Sequence, residues 1–215
     1  MATDERKPSS PAIPAGEGKA RYVRAMFGAI AGKYDLLNSL LSLSLHKGWR
    51  RVALRQCRLS AGMTAVDVGA GTADMAIGMA RRVGPSGRVV GVDFCEPMLR
   101  VGARKLRARG LSSQVLLVNG DAQALPLADN SVDASVTAFV LRNVSDVSLT
   151  LREMARVTRP GRPVVCLELS MPRSTLFRAL YHCYFCRVLP CVGGFLSRKE
   201  AYHYLPNSVV HFFPP

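Results

Sequence analysis

The chain has 215 residues and a mass of 23.3 kDa, which suits one large domain and leaves too little chain for two full-sized domains. Because 48% of its residues are hydrophobic and 20% are charged, it can bury a core, and wholesale disorder is excluded. Its net charge of +14 predicts an anionic neighbour such as a membrane surface, a nucleic acid or an acidic partner.

The N-terminus and the cysteines predict an intracellular, cytoplasmic protein. The first residues are polar, include Asp4 and Glu5, and have no apolar segment typical of a signal peptide. Six cysteines are too few for a disulfide framework in a chain of this length. No run of about 18 apolar residues could span a bilayer, so membrane contact is expected to be peripheral, at the inner face.

Three regions follow one another along the chain. Residues 1–20, rich in proline, glycine and small polar residues, are predicted to be a disordered tail. Residues 21–60 are predicted to be helical and to form a lid, and 61–215 to form the main domain. The apolar stripe of the helical region has spacings of three and four: Phe27, Ile30, Tyr34, Leu37 and Leu41.

Strands and helices alternate after residue 61. The predicted strands are 64–69, 88–94, 115–118, 132–139 and 163–169. The predicted helices between them are 72–83, 97–109 and 149–159. This alternation predicts an α/β fold with a doubly wound, mostly parallel sheet covered by helices on both faces.

A glycine-rich turn after the first strand is the first candidate site. Ligands bind at the carboxyl ends of parallel strands, and here the end of the strand contains Asp67 and Gly69, with Gly71 two residues further on. Both glycines allow a sharp turn and a close approach of the backbone to a ligand. Any tight strand-to-helix turn would have the same pattern, so the signal is weak alone.

Carboxylates at two further strand ends strengthen the prediction. Asp93 is placed to accept both hydroxyls of a ribose, and Asp121 to accept from an adenine amino group. Asp74 stands where a dinucleotide fingerprint has its third glycine. A carboxylate there would repel a pyrophosphate and tolerate the amino group of a methionine moiety, so the predicted ligand is S-adenosylmethionine.

Several motifs then resemble the ubiquinone/menaquinone biosynthesis C-methyltransferases. They cover roughly residues 26–214 in order. The N-terminal motifs are 27–38 (FGAIAGKYDLLN) and 44–51 (SLHKGWRR). The central ones are 120–122 (GDA), 125–126 (LP) and 139–146 (FVLRNVSD). The later ones are 156–157 (RV), 160–161 (PG), 168–170 (ELS), 202–208 (YHYLPNS) and 213–214 (FP).

The resemblance implies a class I, Rossmann-like S-adenosylmethionine-dependent methyltransferase. Its substrate would be a demethylated isoprenoid hydroquinone, methylated on a ring carbon in menaquinone or ubiquinone biosynthesis. Carbon attack needs electron density from a ring hydroxyl, so the hydroquinol and not the quinone is the expected substrate. The residues that match the family's cofactor contacts are Thr72, Asp93, Asp121 and Ala122, and Ala138 occupies a fifth such position with a different residue type.

Four features depart from the family pattern. Ala138 stands where many members have serine, Val140 replaces a glycine, and Ala73 replaces the second glycine of Gly-Thr-Gly-Asp. The chain also stops at Pro215, where members continue into two more strands and a helix. We therefore expect a sheet that lacks its last two strands, with an open edge that favours a dimer, a membrane contact or a weakened enzyme.

The candidate catalytic residues come after the fourth strand. Arg142 is placed to stabilise a developing phenolate, and pairing with a nearby carboxylate is an equal alternative. Asn143 lies beside it, and Asp146 or His46 are candidates to relay a proton. None of these is a secure general base.

An apolar and basic segment near residues 173–200 is interpreted as a flap that admits an isoprenoid tail and docks on anionic lipid. A core helix is the alternative. Cys183 and Cys186 have no second pair at a zinc-site spacing, so no metal is expected. The basic residues of 97–109 are expected on a solvated outer face, and no nucleic acid is expected as a partner.

Two other functions stay open from the sequence. One is an S-adenosylmethionine-dependent methyltransferase that acts on another small molecule, because this fold carries many methylations. The other is an inactive, cofactor-binding subunit that assembles with a biosynthetic partner.

Overall fold

A computed structural model describes residues 17–170, which form a five-stranded parallel sheet with helices on both faces. The strands are β1 (Thr64–Val68), β2 (Arg88–Asp93), β3 (Val115–Asn119), β4 (Ala134–Ala138) and β5 (Val164–Leu167). The helices are α1 (Glu17–Ile30), α2 (Tyr34–Leu41), α3 (Leu45–Gln56), α4 (Asp74–Val83), α5 (Glu96–Arg107) and α6 (Val147–Val157). The predicted fold class is confirmed, and after residue 61 the strand and helix ends differ from the predicted ones by at most two residues.

The strand order β3-β2-β1-β4-β5 explains where a ligand can bind. The chain leaves β1 in one direction toward β2 and β3, then returns to the other side of β1 for β4. This reversal opens a crevice between β1 and β4 at their carboxyl ends. Any strand that extends the sheet beyond β5 would lie outside the described residues, so the predicted open edge stays a prediction.

Two apolar clusters hold the helices to the sheet. Alternate residues of a strand point to opposite faces, and in β1 Ala65 belongs to the cluster with α3 and α4. Its neighbours Val66 and Val68 belong to the cluster with Met154 and Val157 of α6. The members of both clusters are buried, as expected for a parallel sheet that is covered on both faces.

The N-terminal region differs from its prediction in two ways. The first helix begins at Glu17 and not after residue 20, because Lys19, Ala20 and Arg21 continue the helical sequence. The region is three α-helices, with a short 3-10 helix at Ala31–Lys33 between the first two and a turn at residues 42–44 before the third. Residues 1–16 and the predicted flap at 173–200, with its cysteines, lie outside the described part of the chain.

Candidate active site

A cleft that is open to solvent lies at the carboxyl ends of the strands, and the space within it and at its mouth is about 770 Å³. Its floor is made by the segments directly after β1, β2, β3 and β4, and Ala20, Phe27 and Tyr34 of α1 and α2 cover it. Phe27 and Tyr34 pack edge to face with their ring centroids 5.8 Å apart. Its lining includes Gly69, Gly71, Asp93, Asp121, Ala122, Ala138, Val140 and Asn143.

The turn after β1 keeps the backbone bare, as its sequence predicts. Gly69 and Gly71 have φ values of +76° and +53°, which side chains rarely adopt. A Cβ on Gly69 would also lie 2.2 Å from Cγ2 of Val140. The departure at Val140 therefore narrows the cleft directly above Gly69, where the resembling family has no side chain.

Asp93 lies at the end of β2, is only 9% exposed and lines the cleft. Its Oδ2 accepts from the Gly71 amide at 2.8 Å, and its Oδ1 accepts from the Cys95 amide at 2.8 Å. Burial raises the pKa of Asp93, and the two amide hydrogen bonds oppose that rise. Each carboxylate oxygen retains a second lone pair, so the site fits the two hydroxyls of a ribose.

Asp121, Ala122 and Ala138 also line the cleft, as predicted. Asp121 is exposed, and its Oδ1 accepts from the Gln123 amide at 2.9 Å, which fixes the carboxylate at the cleft wall. Ala122 and Ala138 have apolar side chains and contribute surface to the same wall. Asp67 is different, because it is 1% exposed and lies outside the main cleft.

Asp67 holds the glycine turn to the helix that comes after it. Its Oδ2 accepts from the Ala76 amide at 2.9 Å, which satisfies one of the free donors at the start of α4. Burial raises the pKa of Asp67 to about 7, and the Ala76 hydrogen bond opposes the rise. The residue lines a second, smaller pocket that shares Tyr34, Gly69, Gly71 and Ala138 with the cleft.

An ion network joins the N-terminal helices to the glycine turn. Thr72, predicted as a cofactor contact, is buried and donates through its hydroxyl to Oδ1 of Asp35 at 2.6 Å. Lys105 of α5 lies 2.8 Å from Oδ2 of Asp35 and also binds Asp74. Arg50 of α3 lies 2.6 Å from the other oxygen of Asp74. We call these five residues the lid network.

The lid network changes the interpretation of two residues. The sequence predicts a solvated Lys105, yet its side chain is 17% exposed because Asp35 and Asp74 bind it. Burial raises the pKa of Asp74, but Lys105 and Arg50 outweigh it and the net shift is downward. Asp74 is therefore an ionised carboxylate that already forms ion pairs with Lys105 and Arg50. It is not an unpaired carboxylate available to the amino group of a methionine moiety.

Arg50 lines the small pocket and has one side-chain donor from which no described residue accepts. Among the described residues, its buried Nε has no hydrogen-bond partner, while its Nη1 binds Asp74. A buried donor without a partner is costly and marks a place for an acceptor. The carboxylate of a methionine moiety suits that position, so the small pocket fits the amino-acid end of S-adenosylmethionine.

The candidate catalytic residues lie in different surroundings. Arg142 forms a buried ion pair with Glu168, with side chains 7% and 9% exposed, which is the alternative that the sequence left open. Asn143 lines the cleft, and its Nδ2 donates to the Phe139 carbonyl at 3.1 Å. Phe139 has φ +64°, a strained value of the kind that collects at functional sites.

The two candidates for proton relay do not line the cleft. Asp146 caps α6, and its Oδ1 accepts from the Leu149 amide at 2.8 Å. His46 is buried on α3, and its Nδ1 lies 2.6 Å from the Ser42 hydroxyl. Burial, followed by the charge of Arg50, lowers the pKa of His46. Both arrangements are structural, and a relay role stays a prediction.

Lys19 is a site residue that the sequence did not identify. Its Nζ donates to the Val144 carbonyl at 2.8 Å, which links α1 to the segment after β4 that forms the opposite wall. Burial lowers the pKa of this ammonium group. A lysine within a segment of small polar residues gives no local signal for such a contact.

A Rossmann-like sheet, a glycine turn and carboxylates at successive strand ends define a class I S-adenosylmethionine-dependent methyltransferase. The sequence profile of the ubiE/COQ5 methyltransferase family matches residues 15–215, and the chain belongs to this family. The predicted resemblance, the enzyme class and the cofactor are thereby confirmed.

Curated relatives agree with the family assignment. The ubiquinone/menaquinone biosynthesis C-methyltransferase of Geobacter sulfurreducens is 43% identical over 194 residues, which are 90% of this chain and 76% of that protein. The demethylmenaquinone methyltransferase of Geobacillus kaustophilus is 44% identical over 197 residues, 91% of this chain and 84% of that protein.

Solved structures support the fold. An S-adenosylmethionine-dependent methyltransferase from Aquifex aeolicus aligns with a TM-score of 0.53 and 27% identity, over 59% of this chain and 66% of that chain. A phosphoethanolamine N-methyltransferase from Haemonchus contortus, solved with S-adenosylhomocysteine, aligns with a TM-score of 0.62 and 21% identity, over 75% of this chain and 34% of that chain.

Proposed function

We propose that this enzyme methylates a ring carbon of a demethylated isoprenoid hydroquinone in menaquinone or ubiquinone biosynthesis. The observation that carries the proposal is the cleft at the strand ends, in a chain that is 44% identical to a demethylmenaquinone methyltransferase over 197 residues. S-adenosylmethionine supplies the electrophilic methyl group, and the protein has to hold the acceptor carbon in line with it.

The residues divide this task along the cleft. Asp93 would bind the ribose, Asp121 the adenine, and Arg50 the carboxylate of the amino-acid end. Phe27, Tyr34, Val140 and Val144 give the cleft apolar walls that suit an aromatic ring. Asn143 lines the cleft and is hydrogen-bonded to the strained Phe139. We propose that its side-chain amide orients a ring hydroxyl of the substrate. The role of Arg142 on a phenolate is retained as a weaker proposal, since Glu168 already matches its charge.

A lipid-tailed acceptor also implies work at a membrane. We propose peripheral contact with an anionic membrane from the cytoplasmic side, in keeping with the net charge of +14. Among the described residues, no helix is long and apolar enough to cross a bilayer. A homo-oligomer is the other association that the sequence suggests.

The direct test is transfer of an isotope-labelled methyl group to a chemically reduced demethylated quinol with an isoprenoid tail. Label on a ring carbon, identified by mass, is the expected result, and the oxidised quinone should accept none. Cofactor binding without turnover on any quinol would favour the inactive-subunit alternative. Label that appears only on an unrelated acceptor would favour a methyltransferase of different substrate class.

A further inference from the structure

The described chain concentrates its exposed apolar side chains in one segment. Of the nine large hydrophobic residues that are exposed in residues 17–170, six lie between Leu36 and Val52. Leu45, Trp49 and Val52 are 57%, 38% and 52% exposed and have the i, i+4, i+7 spacing of one helical stripe on α3. Leu43, in the turn before α3, is 73% exposed. A contiguous apolar stripe of this kind marks an interaction surface.

A row of basic residues lies on the exposed side of α3 that adjoins the stripe, with Arg55 nearest to it and Lys47 farthest from it. Lys47, Arg51 and Arg55 are spaced four residues apart on α3, and all three are exposed. Residues 17–60 contain nine lysines and arginines and two acidic residues. An apolar stripe flanked by cations has the composition of a helix that lies in a lipid interface.

The stripe also reaches the candidate active site. The ring of Trp49 packs against the ring of Phe139, with centroids 6.5 Å apart, and Phe139 lines the cleft. A surface that touches the cleft wall on one side and solvent on the other is placed where a lipid-tailed molecule would enter.

We infer that the outer face of α3, with Leu43, docks on an anionic lipid membrane and presents the cleft to it. This inference rests on the proposed function, because an enzyme reaches an isoprenoid acceptor in the membrane where that acceptor is dissolved. The apolar stripe enters the acyl boundary, and Lys47, Arg51 and Arg55 bind lipid headgroups. The charge of the face selects anionic lipid over a second copy of this basic chain.

The single tryptophan makes the test direct, since Trp49 is the only one in the chain. Vesicles of phosphatidylcholine and phosphatidylglycerol in equal parts should shift its emission to the blue, and lipids brominated on the acyl chain should quench it. Vesicles of phosphatidylcholine alone should do neither. If the protein floats with the anionic vesicles while Trp49 emission stays unchanged, another surface binds lipid and the inference is wrong.

Matched double variants separate the surface from general charge. Arg51→Gln with Arg55→Gln should lower vesicle partition about tenfold or more, as should Leu45→Gln with Val52→Gln. Arg104→Gln with Arg107→Gln removes the same charge from the exposed face of α5 and should change partition less than about twofold. If the α3 and α5 arginine variants lose vesicle partition equally, binding depends only on the general attraction between a basic protein and anionic lipid. That result would overturn the inference.

Turnover of a short-tailed, water-soluble quinol without lipid distinguishes this inference from the proposed function. All the surface variants should retain this lipid-free turnover. If the wild-type protein itself shows no such turnover, the proposed function is wrong, and the docking surface is judged by vesicle binding alone. If residues 171–215 cover the stripe, Leu45→Gln with Val52→Gln lowers the melting temperature without lipid and leaves flotation intact. If a second copy covers it, the same variant abolishes a dimer in solution. Either result overturns the inference.

Discussion

The Nζ atom of Lys105 lies 2.8 Å from Oδ2 of Asp35, and this ion pair joins α5 to α2 across 70 positions of sequence. The same ammonium group binds Asp74 and lies 3.2 Å from the Thr72 hydroxyl. The covering helices are thus attached to the start of α4 by charge as well as by apolar packing. Any loss at Lys105 should therefore affect both stability and cofactor binding.

We expect Lys105→Met to lower the free energy of unfolding by about 1–3 kcal/mol, because Asp35 and Asp74 lose their shared cation while partly buried. Cofactor affinity should fall as well, since Thr72 and Asp74 border the small pocket. Urea unfolding and calorimetric titration measure the two effects. Arg107→Met, on the exposed side of the same helix, is the matched control. If Lys105→Met lowers the free energy of unfolding and the cofactor affinity no more than Arg107→Met does, the lid network contributes neither stability nor affinity.

Asp93→Asn should lower the affinity for S-adenosylmethionine at least about tenfold. An amide side chain cannot accept from both Gly71 and Cys95, so one of these amides faces another donor. Asp121→Asn is the comparison, because its remaining oxygen can still accept from the Gln123 amide. We expect a loss of about threefold or less there. A larger loss at Asp121 than at Asp93 would reverse the assignment of ribose and adenine.

Local sequence suffices to predict most of the sheet because β1, β2, β3 and β5 are valine-containing runs that end at, or directly before, a glycine or a carboxylate. β4 has a single valine and is followed by Phe139. These sequence signals depend on a few neighbouring residues, so they do not change with the rest of the fold. The edge of the fifth strand and the flap depend on residues outside the described part of the chain. The break at residues 42–44 is different. Leu43 and Ser44 adopt left-handed backbone, with φ values of +48° and +61°, and neither residue type signals such a turn.

The site is predictable only where it lies at the strand ends. Asp93 and Asp121 can be found from the sequence because strand ends of a parallel sheet meet at one edge. The sequence places Lys105 on the solvated face with its basic neighbours, because its partner Asp35 belongs to a distant helix. The helical period predicts which side of the helix a side chain is on. It does not predict which residues of a distant segment will contact that side.

Gly69→Ala should destabilise the protein by about 2–4 kcal/mol and abolish cofactor binding. The added Cβ meets Val140 and also stands on a backbone with φ +76°. In a Val140→Gly background only the backbone strain remains, so the double-mutant cycle should show a coupling of about 1–2 kcal/mol. Thermal and urea unfolding of the four proteins give this value. Additive losses would mean that Val140 does not pack on Gly69.

Two alanine-to-glycine substitutions should separate backbone strain from lost packing. Ala73 has φ +65° and is fully buried, so in Ala73→Gly the relief of strain, about 1 kcal/mol, offsets the lost methyl group. Ala76, equally buried but inside α4, has no strain to relieve. Ala76→Gly should therefore cost about 2 kcal/mol and Ala73→Gly less than about 0.5. Equal costs would show that Ala73 is unstrained.

Asp67 should make the protein less stable as the pH rises. Burial raises its pKa to about 7 in the folded protein, whereas an unfolded chain has the ordinary value near 4. Between these two pH values the folded state holds a proton that the unfolded state has released, so this residue's contribution to stability falls as pH increases through the window. The loss levels off about one pH unit above the folded pKa.

Asp67→Asn removes this titration and keeps an oxygen that can accept from the Ala76 amide. The stability of the variant relative to wild type should therefore improve between pH 5 and pH 8, as measured by urea unfolding at both values. Asp133→Asn is a control of opposite sign. The Thr64 amide and Arg159 outweigh burial and lower the pKa of Asp133, so its contribution to stability is lost as the pH falls below about 4. Its variant should therefore differ from wild type less in that range than at neutral pH. A difference for Asp67→Asn that is independent of pH would mean that Asp67 is ionised throughout, with Arg50 as the group that stabilises its charge.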